Sequence, residues 1–216
     1  MHPVLYLYRV TVRRVLSRSR RYIFLVAAIF LVGIAIGFIS YQCYPGQVSL
    51  MVSEITAKLT RLSETLEGAG TLQAVLLVFW TNLKVVLMCI ASGPAFGIAP
   101  AAAIFLNGFF IGVAAGHAAS RGLNVPLLLG TSVMPHGIFE VPAVILGGVL
   151  GMRIGFNILA LLRSRQTLRG VIRVLGDTLA ILLALVIPLL AAAALIEMTL
   201  TRYLVTRVIV PGLGDV

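Results

Sequence analysis

Charge is scarce in this chain: charged residues make up 11% of its 216 positions, and only 7 of them are Asp or Glu. A soluble domain carries about a quarter of its residues as Asp, Glu, Lys and Arg. Hydrophobic residues reach 60% and the mean hydropathy is +1.06, which excludes a soluble globular protein and implies a membrane protein. Cysteine is also scarce. Cys43 is expected at the outer membrane face and Cys89 near the inner end of the second span, so no bridge between them is expected, and cysteine usage says nothing about redox compartment. Catalytic signatures are missing too. There is no His-Glu-x-x-His, no Gly-rich phosphate loop ending in Lys-Ser/Thr, and no glycine-flanked nucleophile turn at Ser92 or Ser132. The expectation is therefore a non-enzymatic protein with no metal and no cofactor.

What the chain does contain is long apolar runs. Five stretches are long enough to cross about 30 Å of hydrocarbon: Tyr22–Tyr41, Leu72–Ser92, Phe96–Ala119, Val125–Leu150 and Leu175–Thr199. They predict an all-α, polytopic membrane helical bundle forming a single integral-membrane domain over residues 1–216. Residues 1–21 form a basic segment ahead of the first span. Because this span is longer than a signal core and lacks an Ala-x-Ala site, it is read as an uncleaved anchor.

Arginines fix the expected orientation. Arg9, Arg13, Arg14, Arg18, Arg20 and Arg21 precede the first span, and Arg153, Arg163, Arg165, Arg169 and Arg173 lie between the fourth and fifth. With five spans both groups share one side, which the positive-inside rule makes cytoplasmic, with the N-terminus in and the C-terminus out. The net charge of +10 is thus a topology signal in a cell-membrane protein. No soluble basic domain is present to bind nucleic acid.

Residues 46–70 form the one substantial polar segment between spans. Val48, Val52, Ile55, Leu59, Leu62 and Leu66 recur at four- and three-residue spacings, predicting an external amphipathic helix. Its Ile55, Leu59 and Leu62 face packs on its own bundle, lies among headgroups, or docks another envelope or membrane protein. Small residues recur every fourth position: Gly33 and Gly37; Gly93 and Gly97; Gly108, Gly112 and Gly116; Gly147, Gly151 and Gly155. Each set aligns on one helix face, where close backbone approach supplies the packing that lipid does not drive. These faces serve the bundle, a homo-oligomer, or both.

The most informative motif is Pro135-His136-Gly137-Ile138-Phe139-Glu140-Val141-Pro142. Ionisable groups inside spans are costly and face a bundle interior, a partner or a cavity. Asn82, Lys84, Asn107, His136 and Glu140 are all expected near mid-depth, and a Lys84–Glu140 pair would neutralise two costly charges. Such a cluster is a structural clamp, a polar cavity or permeation site, or an intramembrane catalytic site. His136 and Glu140 alone supply two ligands where a catalytic zinc needs three. Pro135, Gly137 and Pro142 favour a broken helix.

In order and spacing these features resemble the stage II sporulation protein M family: the basic first span, Asn82, Gly93–Gly97, Asn107-Gly108 with Gly112, and Pro135-His136-Gly137 with Glu140 and Pro142. The resemblance implies a multi-span helical membrane protein. Relatives in sporulating bacteria hold peptidoglycan-degrading partners at the engulfing septum, which implies a scaffold in envelope remodelling. Other relatives occur in organisms that neither sporulate nor engulf, including archaea. The resemblance implies no catalytic residues. A transporter, flippase or channel-like protein built on the Glu140 and His136 site is the second reading.

Overall fold

The computed structural model describes residues 3–50, 53, 71–204 and 207. Every regular element among them is helical, as apolar runs that must satisfy their own backbone within hydrocarbon require. In chain order these are α1 (Pro3–Arg18), α2 (Arg20–Cys43), α3 (Thr71–Ala91), α4 (Ile98–Ser120), α5 (Val125–Ser132), α6 (Met134–Leu162) and α7 (Leu168–Leu204). Two π turns, Leu182–Val186 and Glu197–Thr201, interrupt α7. The first lies just ahead of Pro188, whose ring cannot sit over the carbonyl four residues back. Five helices, α2, α3, α4, α6 and α7, are long and apolar enough to cross a membrane.

The fourth and fifth runs are bounded differently from the sequence reading, the fifth lying in a helix that runs Leu168–Leu204 rather than Leu175–Thr199. Val125–Leu150 is not one span: α5 stops at Ser132 and α6 begins at Met134. Pro135 has no N–H to continue the α5 ladder and stands in the first turn of α6, where that donor is not required. At the other end α6 runs through Arg153 to Leu162, because Arg153 is buried and paired inside the bundle. It is therefore not a loop charge. The expected external helix falls largely outside the described residues, and Ile55, Leu59 and Leu62 with it. Of that segment, residues 45–50 are helical, and Val48 is buried beside Tyr41 and Val113.

Helix α6 is the centre of the bundle. Of its apolar window 61% is buried, against 22–33% in the other four spans. Val26 of α2, Val86 of α3, Ile104 of α4 and Ile181 and Leu190 of α7 pack with Ala143, Val149 and Leu150 of α6 in one core. The outward faces present Phe24, Leu72, Met88, Ile98 and Leu183, as lipid-facing positions should.

The glycines explain how the backbones meet. A Cβ at Gly33 or Gly37 would strike the carbonyls of Phe105 or Phe109, and one at Gly108 or Gly112 would strike those of Phe30 or Ile34. Helices α2 and α4 are thus in reciprocal backbone contact, and Gly116 continues the seam against Tyr41. Gly93 and Gly97, expected on one helix face, instead lie in the turn between α3 and α4, since Pro94 cannot extend α3. Gly97 has φ 78°, which costs glycine little and other residues more. That turn rests on α6, where Gly151 meets the Cys89 carbonyl and Gly155 the Gly93 carbonyl. Gly147 faces Val86.

One polar clamp closes the α2–α4 seam: the Tyr41 hydroxyl lies 2.6 Å from His117 Nδ1, with the rings edge to face. Tyr41→Phe should therefore lower stability by about 0.5–1.5 kcal/mol, the net value of one such bond. A thermal melt in detergent should show a small downward shift. A shift as large as that of a core truncation would mean the hydroxyl does more than close the seam.

Candidate functional site: a polar cavity at one end of the bundle

Residues one turn apart on a helix share a face, so the start of α6 presents His136 and Glu140 together, with Nε2 and Oε2 3.8 Å apart. Pro142 follows on the next turn. Opposite them stands the second π turn of α7, which carries Glu197 and the buried Thr201. The Thr201 hydroxyl lies 3.2 Å from His136 Nδ1. Donor atoms of His136, Glu140 and Glu197 all fall within 4.8 Å of one another. π turns carry an additional residue and recur at functional sites.

His136, Glu140 and Glu197 line a half-open cavity of about 460 Å³, together with Asn82 of α3 and Asn107 of α4. Apart from Thr81 its remaining wall is apolar and includes Val78, Phe110 and Val133. The Asn107 amide donates to the Ala103 carbonyl at 2.9 Å, which fixes that side chain at the wall. Asn82 and Asn107 stand near the middle of α3 and α4, whereas His136 and Glu140 occupy the first two turns of the 29-residue α6.

Four of the five residues expected to cluster therefore meet: Asn82, Asn107, His136 and Glu140. Lys84 does not. Residues two positions apart on a helix are separated by about 200°, so Lys84 cannot share the face of Asn82. It is exposed, and its ammonium stands 5.6 Å from the Trp80 ring centroid, one turn back, a cation–π contact. Glu197 takes the place expected of Lys84, and sequence reasoning missed it. The available signal was a lone carboxylate in Leu195-Ile196-Glu197-Met198, within a run otherwise too apolar to tolerate one.

A second polar site lies at the other end of the bundle and was also missed. Arg153 Nη2 is 3.3 Å from Asp177 Oδ2, and Arg14 is 3.8 Å from Oδ1. Arg153 and Asp177 are buried, whereas Arg14 is half exposed. None of the ion pairs among the described residues brings a lysine or arginine to Glu140 or Glu197.

Five long apolar helices, four of which line a polar cavity, define a polytopic helical membrane protein. Residues 26–202 match the family described as stage II sporulation protein M, and the chain belongs to that family. It is also 31% identical over 130 residues to an uncharacterized protein of Methanocaldococcus jannaschii, an alignment covering 60% of this chain and 71% of that relative. No solved structure matches the chain. The protein is a multi-pass membrane protein of the stage II sporulation protein M type, as its motifs led one to expect.

Proposed function

We propose that this protein is a non-enzymatic, channel- or transporter-like membrane protein whose cavity at Glu140, His136 and Glu197 receives a cationic solute. The carrying observation is the cavity itself: two carboxylates and an imidazole line one open space, and among the described residues no lysine or arginine is paired to either carboxylate. A clamp that only fixed helix register would be dry and internally paired. Carboxylates retained inside a span at such cost mark cation or proton paths.

The proposed orientation places the N-terminus in the cytoplasm. Arg18, Arg20, Arg21, Arg169 and Arg173 line openings near Tyr22 at one end of the bundle, and the positive-inside rule assigns that end to the cytoplasm. His136 and Glu140 then lie in the outer half.

The test is flux. In proteoliposomes whose potential is clamped with potassium and valinomycin, the protein should pass protons, sodium or a divalent cation faster than empty vesicles do. Glu140→Gln should remove the difference. Wild-type rates equal to those of empty vesicles for every cation would overturn the reading. They would return the protein to the scaffold reading, whose candidate surface, Ile55, Leu59 and Leu62, lies outside the described residues.

A further inference from the structure

We propose that His136, Glu140 and Glu197 form a binding site for a divalent first-row transition metal ion of the manganese-to-zinc series. The inference deepens the cation reading above by naming the class of cation, and it rests on that reading only for the ion being cargo. Histidine and glutamate on one turn of α6 supply two ligands, and the π turn of α7 brings the third from a helix about 60 residues further along the chain. Metal–ligand bonds of about 2.0–2.2 Å set neighbouring donors about 3.4 Å apart in a tetrahedral site. The observed Nε2–Oε2 distance of 3.8 Å, and the limit of 4.8 Å over all three donors, need only small side-chain rotations to close on an ion.

The Thr201 hydroxyl beside His136 Nδ1 is an independent observation. In the tautomer in which Nδ1 donates to that hydroxyl, the lone pair of Nε2 points at the Glu140 carboxylate, and the two facing acceptors need a proton or a metal ion between them. A ring N–H held by a second residue while the other nitrogen faces the ligands is also the usual arrangement of a metal-binding histidine. Two carboxylates balance a dication, and the imidazole favours borderline metals over calcium or magnesium. The cavity leaves room for water, and the Asn82 and Asn107 side chains supply further polar wall.

The test uses full-length protein in detergent, freed of any affinity tag and treated with chelator, then titrated calorimetrically with Mn²⁺, Co²⁺ and Zn²⁺. One ion should bind per chain, with Co²⁺ giving d–d absorption bands characteristic of nitrogen and oxygen ligation. Thr201→Val should weaken binding by about 10–100-fold, and Glu140→Gln or Glu197→Gln by more. Lys84→Met, at a residue outside the cavity, should bind as the wild type does. Each variant is first checked for a monodisperse elution profile and an unchanged melting temperature without metal. If Glu197→Gln misfolds, Thr201→Val and the Co²⁺ spectrum of the wild type decide the matter.

No binding of the three ions below about 1 mM, a weak limit on the affinity scale, would overturn the proposal. Stoichiometric binding that persists in the Glu140→Gln, Glu197→Gln double variant would also overturn it. Metal binding without flux in vesicles would support the site and reject transport. Proton or sodium flux with no metal binding would support transport and reject the metal.

Discussion

Asp177→Ala is expected to destabilise the protein by about 3–5 kcal/mol, the cost of leaving one member of a buried ion pair without its partner. Arg153 is 7% exposed, and its guanidinium meets the Asp177 carboxylate at 3.3 Å. Removing that carboxylate leaves a permanent positive charge inside the bundle, because arginine does not deprotonate to escape burial. Arg14 also points at Asp177, but it is half exposed and can turn to water, so it adds little to the loss. Rescue should identify the cause. Arg153→Met combined with Asp177→Leu removes both charges and should recover much of the lost stability, as apolar replacements of buried pairs often do. A melting temperature in detergent within error of wild type for Asp177→Ala would show that the pair contributes nothing.

Gly112→Leu is expected to have a comparable effect through a different cause. Even a single Cβ at this position would overlap the Ile34 carbonyl and approach the Phe38 nitrogen to 2.8 Å. Overpacking among side chains costs about 1–3 kcal/mol. Here the obstructing atoms are backbone, and only moving α2 bodily away from α4 relieves the overlap. The cost should therefore reach or exceed the top of that range, with loss of monodisperse protein in detergent. Gly176→Ala is the control. Gly176 lies in α7 with nothing within 4 Å of an added Cβ, so this change should be neutral or slightly stabilising. Equal behaviour of the two variants in size-exclusion chromatography would reject the backbone seam.

The fold class and most span positions were legible because each rests on a local quantity, the length of an apolar run. His136 and Glu140 were legible for the same kind of reason, since i,i+4 spacing places them on one face without knowledge of the fold. Lys84 stands apart because equal depth does not fix azimuth: its two-residue offset from Asn82 turns it from that face. Glu197 was hidden at the end of a strongly apolar run, and its part in the cavity depends on how α7 packs against α6. Arg153 looked like the start of a loop because its partner, Asp177, lies 24 residues away. Gly93 and Gly97 show the limit of spacing alone: four residues apart, they bracket a turn around Pro94 rather than share a helix face.

The distribution of small residues along α6 gives this helix unequal freedom along its length. From Gly151 to Gly155 this helix lies against peptide groups at the end of α3 and in the α3–α4 turn, a backbone-to-backbone contact that leaves little room for the helix to shift. From His136 to Val141 its contacts with α3, α4 and α7 run through side chains around open space, and side chains can change rotamer. Pro142 divides the two regions and leaves the ladder one hydrogen bond short. Helix α6 is thus held like one arm of a clothes-peg, fixed at its glycine half and freest where it carries His136 and Glu140.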